Sequence, residues 1–83
     1  MRTVAYDPEA LRSLKRMPRN VSDRIRQKVG QLADDPDSLA NNLTALKGTR
    51  ALRLRVGDWR VILSISAEQI AVHQIGPRGS IYR

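Results

Sequence analysis

The chain of 83 residues has no cysteine, no phenylalanine and one histidine. Missing thiols exclude disulfides, thiolate nucleophiles and cysteine zinc sites, and one histidine leaves no His-rich metal cluster, so metal-free chemistry without a cofactor is expected. Aromatic residues number three, Tyr6, Trp59 and Tyr82, too few for a platform of several stacked bases. There is no run of eighteen apolar residues and no charged-then-apolar leader. Neither a membrane span nor a signal peptide is therefore expected, and the plain reading is a cytoplasmic protein. Acidic residues are also scarce, eight against fifteen Lys and Arg, for a net charge of +7.

That excess is uneven. Residues 1–42 carry eight basic and six acidic side chains, a balance of +2, and residues 43–83 carry seven and two, a balance of +5. A basic C-terminal half points to nucleic acid or an acidic protein segment rather than to a uniformly solvated surface. The length supports a single domain, 1–83, with one modest core.

The pattern reads β-α-α-β-β-β. Residues 2–6 are β-prone, and Asp7-Pro8 offers an N-cap followed by proline at the first helical position. Leu11, Leu14 and Met17 give a first helix its apolar stripe. Pro18 ends it or begins the next. Val21, Ile25, Val29 and Leu32 recur at helical spacing over roughly 19–34, where Asp34-Asp35-Pro36 stops the run. The short joint makes the two helices an antiparallel hairpin. Residues 37–49, rich in Asn, Ser, Thr and Gly, read as a loop, with Leu43 and Leu46 tucked against the core. Ile70–Ile75 is a last strand. Helices early and antiparallel strands late predict an α+β fold, an antiparallel sheet with the helical hairpin on one face and the other face open.

The open face carries the chemistry. Alternation in Leu52-Arg-Leu-Arg-Val56 puts Arg53 and Arg55 on one side and the apolar residues on the other. Gly57-Asp58 is a two-residue turn signal of type II′, and it fixes the register: Val56 opposite Trp59, Arg55 opposite Arg60, Leu54 opposite Val61, Arg53 opposite Ile62 and Leu52 opposite Leu63. Three guanidinium groups then share one surface. Like charges directly opposite destabilise a sheet, so the cluster implies an anionic ligand such as phosphate or a carboxylate-rich partner. Alternation also places Trp59 on the core side, away from Arg60.

The order of elements, with Leu-Lys-Gly at 46–48, Leu-Arg-Val-Gly-Asp-Trp-Arg at 54–60 and Ile-Gly-Pro-Arg…Ile-Tyr-Arg at 75–83, resembles the RelE/ParE superfamily of toxins from type II toxin-antitoxin pairs. The resemblance spans nearly the whole chain. It implies a RelE-like fold and, in the RelE branch, a metal-independent endoribonuclease that cuts messenger RNA in the ribosomal A site. In the ParE branch it implies an inhibitor of DNA gyrase. Both imply a cognate antitoxin, and complexes that bind operator DNA through it.

Carried over residue by residue, the family's basic strand positions fall on Arg53 and Arg55, its hairpin arginine on Arg60, its last-strand arginine on Arg78 and its C-terminal tyrosine on Tyr82. Two positions depart. Ala51 stands where RelE-like nucleases usually place a basic residue, and Pro77 stands where many relatives have the histidine of Gly-His-Arg. Both departures remove candidate proton carriers.

Metal-free RNA cleavage proceeds by attack of a 2′-hydroxyl on the adjacent phosphate, which needs cations for the developing charge, a base and an acid. Arg60 and Arg53 suit the first role as bidentate clamps that stay charged at any working pH. Arg55, Arg50 and Lys47 would extend the phosphate grip. Arg78 would stabilise or protonate the leaving oxygen. Tyr82, whose phenol pKa of about 10 neighbouring arginines would lower, is the candidate base. His73 is its rival, since histidine ordinarily titrates near 6.5. Alternation sets His73 with Ala71 and Ile75, and a structural or surface role is the expected one. A Ser-His-Asp site is not expected, because no nucleophile signature accompanies the histidine. The leading reading is a ribosome-dependent mRNA endoribonuclease with ribosome, mRNA and antitoxin as partners. A gyrase inhibitor without nuclease activity and a non-catalytic basic module for nucleic acid or peptide stay open beside it.

Overall fold

In a computed structural model, residues 2–79 are described. Strand β1 (Thr3–Tyr6) leads into helix α1 (Pro8–Arg16), helix α2 (Arg19–Asp34) and a 3₁₀ segment (Pro36–Asn42) with non-helical dihedrals at Leu39. Strands β2 (Leu43–Ala45), β3 (Leu52–Val56), β4 (Trp59–Ile65) and β5 (Gln69–Pro77) follow. Pro8 occupies the first turn of α1, where its missing N–H has no intrahelical partner to lose. Lys15 and Arg16 close that helix, a favourable sign at its C-terminal end. Pro18 separates the helices as expected, and α2 ends at Asp34.

The five strands form one sheet in the order β1-β5-β4-β3-β2. Two expectations are corrected here. The sheet is mixed rather than antiparallel, because β1 runs parallel to β5, with Tyr6 opposite Val72. A parallel pair needs a long crossover, and the rest of the chain from α1 to β4 supplies it. Residues 37–49 are also not simply a loop: they hold most of the 3₁₀ segment and β2, whose Leu43, Thr44 and Ala45 pair with Leu54, Arg53 and Leu52. Three residues are too few for alternation to be visible in a sequence.

Both helices cover one sheet face. Ala10, Leu14, Met17, Ile25, Val29 and Leu32 form a single core with Leu54, Val56, Val61, Leu63, Ile70, Val72 and Ile75. Each large side chain removed from water there contributes about 1.5–3 kcal/mol. Trp59 is half-buried against this core, on the side alternation assigns it, and Leu43 also packs on it. Leu46, expected beside Leu43, is half-exposed and lies outside that cluster. Among the described residues no helix is long and apolar enough to cross a membrane.

The pairing of β4 with β5 contains one irregularity that matters for function. Ile62 faces Gln74, but Leu63 faces Val72, so His73 is an extra residue in a β-bulge. The alternation expected of this strand holds as far as Val72 and fails beyond the bulge: Ile75 is buried with Ile70 and Val72, so it does not share a face with His73. The apolar spacing 70, 72, 75 breaks period two at the bulge.

Candidate functional site

The hairpin register expected from the turn is present at all five pairs, from Val56 opposite Trp59 to Leu52 opposite Leu63. Gly57 has φ +58, and no other described residue in the turn has positive φ, which matches the type II′ geometry. Arg55 and Arg60 sit directly opposite, and Arg53 stands two pairs further along, opposite Ile62.

Backbone carbonyls aim the arginines. Arg60 Nη1 donates to the carbonyls of Gly57 and Trp59, both at 3.0 Å. That anchorage uses one nitrogen of the fork and leaves Nε and Nη2 with three donor hydrogens directed elsewhere. Asn42 Nδ2 donates to the Arg55 carbonyl at 3.3 Å, tying the end of the 3₁₀ segment to β3. The result is a cleft of about 100 Å³ lined by Asn41, Asn42, Thr44, Arg53, Arg55 and Arg60. Three cations and three neutral polar side chains, with no carboxylate among them, suit an oxyanion such as phosphate. A larger cleft of about 350 Å³ lies between the start of α2 and the β3–β4 turn. It sets Asp58 beside Arg24 on a partly apolar wall, so it lacks the one-signed field that an anion site needs.

Of the residues expected at the site, Arg53, Arg55 and Arg60 are brought together. Arg78 is exposed, and its backbone N–H donates to the Asp58 carbonyl at 2.8 Å, which places it at the hairpin turn rather than in the cleft lining. Lys47 and Arg50 are exposed in the connection between β2 and β3, beyond the opposite end of β3 from that turn. Tyr82 lies outside the described residues. Asn41, Asn42 and Thr44 were not anticipated. Their only signal was polarity next to the unforeseen strand β2.

A second group shares this face. His73 Nδ1 lies 3.0 Å from Asp7 Oδ2, and His73 Nε2 lies 3.0 Å from Ser64 Oγ. The bulge and the β1–β5 pairing bring residues 7, 64 and 73 together, a contact that no local signal in the sequence announced. Asp7 takes the N-cap position of α1 as expected, but its side chain makes no capping hydrogen bond. The carboxylate is turned to the histidine instead.

The family model described as "ParE toxin of type II toxin-antitoxin system, parDE" matches residues 4–82. No curated protein matches the sequence. Among solved structures, the archaeal RelE-RelB complex from Pyrococcus horikoshii OT3 is similar at 25% identity over 95% of this chain and 97% of that one, with TM-score 0.80. YafQ from E. coli strain BL21(DE3) is similar at 11% identity over the full length of both chains, with TM-score 0.79. The isolated E. coli RelE toxin is similar at 16% identity over 94% of this chain and 85% of that one, with TM-score 0.76.

Proposed function

The chain belongs to the ParE toxin family of type II toxin-antitoxin systems, and we propose that it acts in the RelE manner, as a metal-independent endoribonuclease cutting messenger RNA on the ribosome. The arginine cleft carries this reading: three guanidinium groups on one open sheet face, one of them anchored at two carbonyls, with no carboxylate among the described residues of the lining. Such a cleft holds the scissile phosphate and neutralises charge as the phosphorane forms. No metal is required, because the nucleophile is the substrate's own 2′-hydroxyl. Arg60 and Arg53 are the clamps, Arg55 widens the field, and Arg78 at the hairpin turn is the group for the leaving oxygen.

A cognate antitoxin would silence the toxin by covering this face. The archaeal relative was captured with RelB, and a +7 chain favours a partner that brings carboxylates. A ribosomal target places the protein in the cytoplasm.

The ParE description of the family model favours a second reading, inhibition of DNA gyrase without RNA cleavage. Expression in cells followed by mapping of transcript ends separates the two. Codon-phased ends on translated messages support the nuclease. DNA breaks and a damage response with intact transcripts support the gyrase reading, and the absence of growth arrest removes both.

A further inference from the structure

Arginine clamps do not serve as a base, and Tyr82, expected in that role, lies outside the described residues. On the same open face the Asp7, His73 and Ser64 side chains form a continuous hydrogen-bonded series, 3.0 Å at each step. A carboxylate only accepts, so in the neutral imidazole Nδ1 carries the proton. Nε2 then accepts from the Ser64 hydroxyl. The ring is thereby held in the tautomer that can take up one more proton, with Asp7 placed to stabilise the imidazolium that results.

Two further features of the chain accompany this series. The bulge adds His73 to a ladder that is regular without it, since Gln74 faces Ile62 and Val72 faces Leu63 on either side. The N-cap aspartate leaves the α1 terminus without a side-chain cap. The His73 and Asp7 side chains are 39% and 50% exposed, so the series is open to a ligand on the sheet.

Its position relative to the arginines is fixed by register. Arg53 faces Ile62, and Ser64 lies two residues further along β4 on the same side. Such diagonal neighbours stand about 7–8 Å apart. That spacing lets a phosphate rest on the Arg53 guanidinium while the adjoining 2′-hydroxyl meets Ser64 Oγ. A covalent role for Ser64 fits less well. It sits in mid-strand between Leu63 and Ile65, whose backbone is committed to the β4–β5 ladder, whereas a nucleophilic serine needs a sharp turn with N–H groups available to an oxyanion.

We propose that Ser64, His73 and Asp7 are the proton acceptor for the 2′-hydroxyl in this cleavage, an inference that rests on the nuclease reading. The 2′-oxygen bonds to phosphorus as the bond to the 5′-oxygen breaks, giving a 2′,3′-cyclic phosphate. The 2′-hydroxyl proton passes to Ser64 Oγ while the Ser64 proton passes to His73 Nε2. The 5′-oxygen takes a proton from water, and the imidazolium returns its proton to the hydroxide left behind. Ser64 touches the substrate, His73 receives the proton, and Asp7 is a positioning residue. Among the described residues, the charged group in contact with the imidazole is Asp7 from the β1–α1 junction, and the arginines of this face, Arg53 and Arg60, lie further along β3 and β4. Ala5, Ala71 and Gln74 beside it are uncharged.

The test is single-turnover cleavage by the purified full chain on ribosomes programmed with a defined message, measured across pH. His73→Gln is expected to slow cleavage about 10²-fold or more and to flatten the acid limb of the pH–rate profile. Imidazole in the buffer should restore part of the rate to His73→Gly. Asp7→Asn should slow cleavage by a smaller factor and shift that limb, with thermal unfolding unchanged. Wild-type cleavage with an unaltered rate and pH profile in His73→Gln overturns the inference and leaves the nuclease reading standing. Should the His73 variants fail to fold, Ser64→Ala, a single-atom truncation, decides alone, and an undiminished rate there overturns the inference equally. Wild-type protein that cuts no message on any ribosome overturns the nuclease reading, and the proton acceptor falls with it.

Discussion

On the β3–β4 side of the open sheet face, three arginines crowd without a carboxylate among them; on the β5–β1 side a histidine stands between a carboxylate and a hydroxyl. The first arrangement presents three cations and three neutral polar side chains to one cleft, a field that suits an anion. The second satisfies itself internally and offers only proton traffic. Ile62 lies between them, 8% exposed yet outside the core that faces the helices. One half of the surface thus grips charge and the other moves a proton. Neither half alone would suffice for metal-free phosphodiester cleavage.

The sharpest way to break this division is Arg60→Ala. Loss of a preorganised donor to a developing oxyanion lowers rates by about 10²–10³-fold, and that loss is expected in kcat for message cleavage with little change in thermal stability. Lysine at position 60 should recover only part of it, since an ammonium cannot bond both turn carbonyls and a phosphate as a planar fork does. An Arg60→Ala enzyme that cleaves at the wild-type rate would remove the clamp from the β3–β4 side.

Deleting His73 tests the other side. Because its neighbours already form a regular ladder, removing the extra residue should close the bulge and leave Ile70, Val72 and Ile75 on the core face. The unfolding free energy in urea should stay within about 1 kcal/mol of wild type, while the proton-accepting series disappears. A variant that fails to fold would mean that the bulge serves packing rather than the open face.

The two sides also differ in how far they could be read in advance. The arginine cluster was legible because it depends on one two-residue turn and strict alternation, both local in sequence: Gly57-Asp58 sets the register and every pair follows. Trp59 and the helix stripes were legible for the same reason. The Asp7–His73–Ser64 series depends on a parallel pairing between residues separated by most of the chain and on a bulge that shifts one side chain. Alternation applied to β5 therefore grouped His73 correctly with Ala71 but wrongly with Ile75, which the bulge turns to the core. The N-cap aspartate was recognised by position, but the partner its carboxylate takes is a tertiary matter. Asn41, Asn42 and Thr44 were hidden because β2 is only three residues long.

The repulsion on the arginine side predicts a stability gain when it is relieved. Replacing Arg55 with Thr removes the like-charge pair with Arg60 and should raise the unfolding free energy by about 0.2–1 kcal/mol. The gain should shrink as salt screens the remaining charges, and cleavage should fall. No corresponding gain is expected on the β5–β1 side, where Ser64→Ala removes the hydroxyl that meets His73 Nε2.

The smallest effect separates the two faces of β1 at adjacent residues. Asp7 looks to the open face, whereas Tyr6 packs against the core with its ring 5.4 Å from the Arg26 guanidinium. Burial raises the Tyr6 phenol above its ordinary value of 10.0, and nearby Arg26 pulls it back in part. A raised native pKa means that the neutral phenol is favoured by folding. Its contribution is fully present below about pH 10, where the unfolded phenol is also neutral. It is lost as pH rises from there through the native value. Unfolding followed between pH 9 and 11 should therefore show a shallow decline in wild type that Tyr6→Phe lacks and Asp7→Asn retains. An identical decline in Tyr6→Phe would assign the alkaline loss to other groups and leave Tyr6 as packing alone.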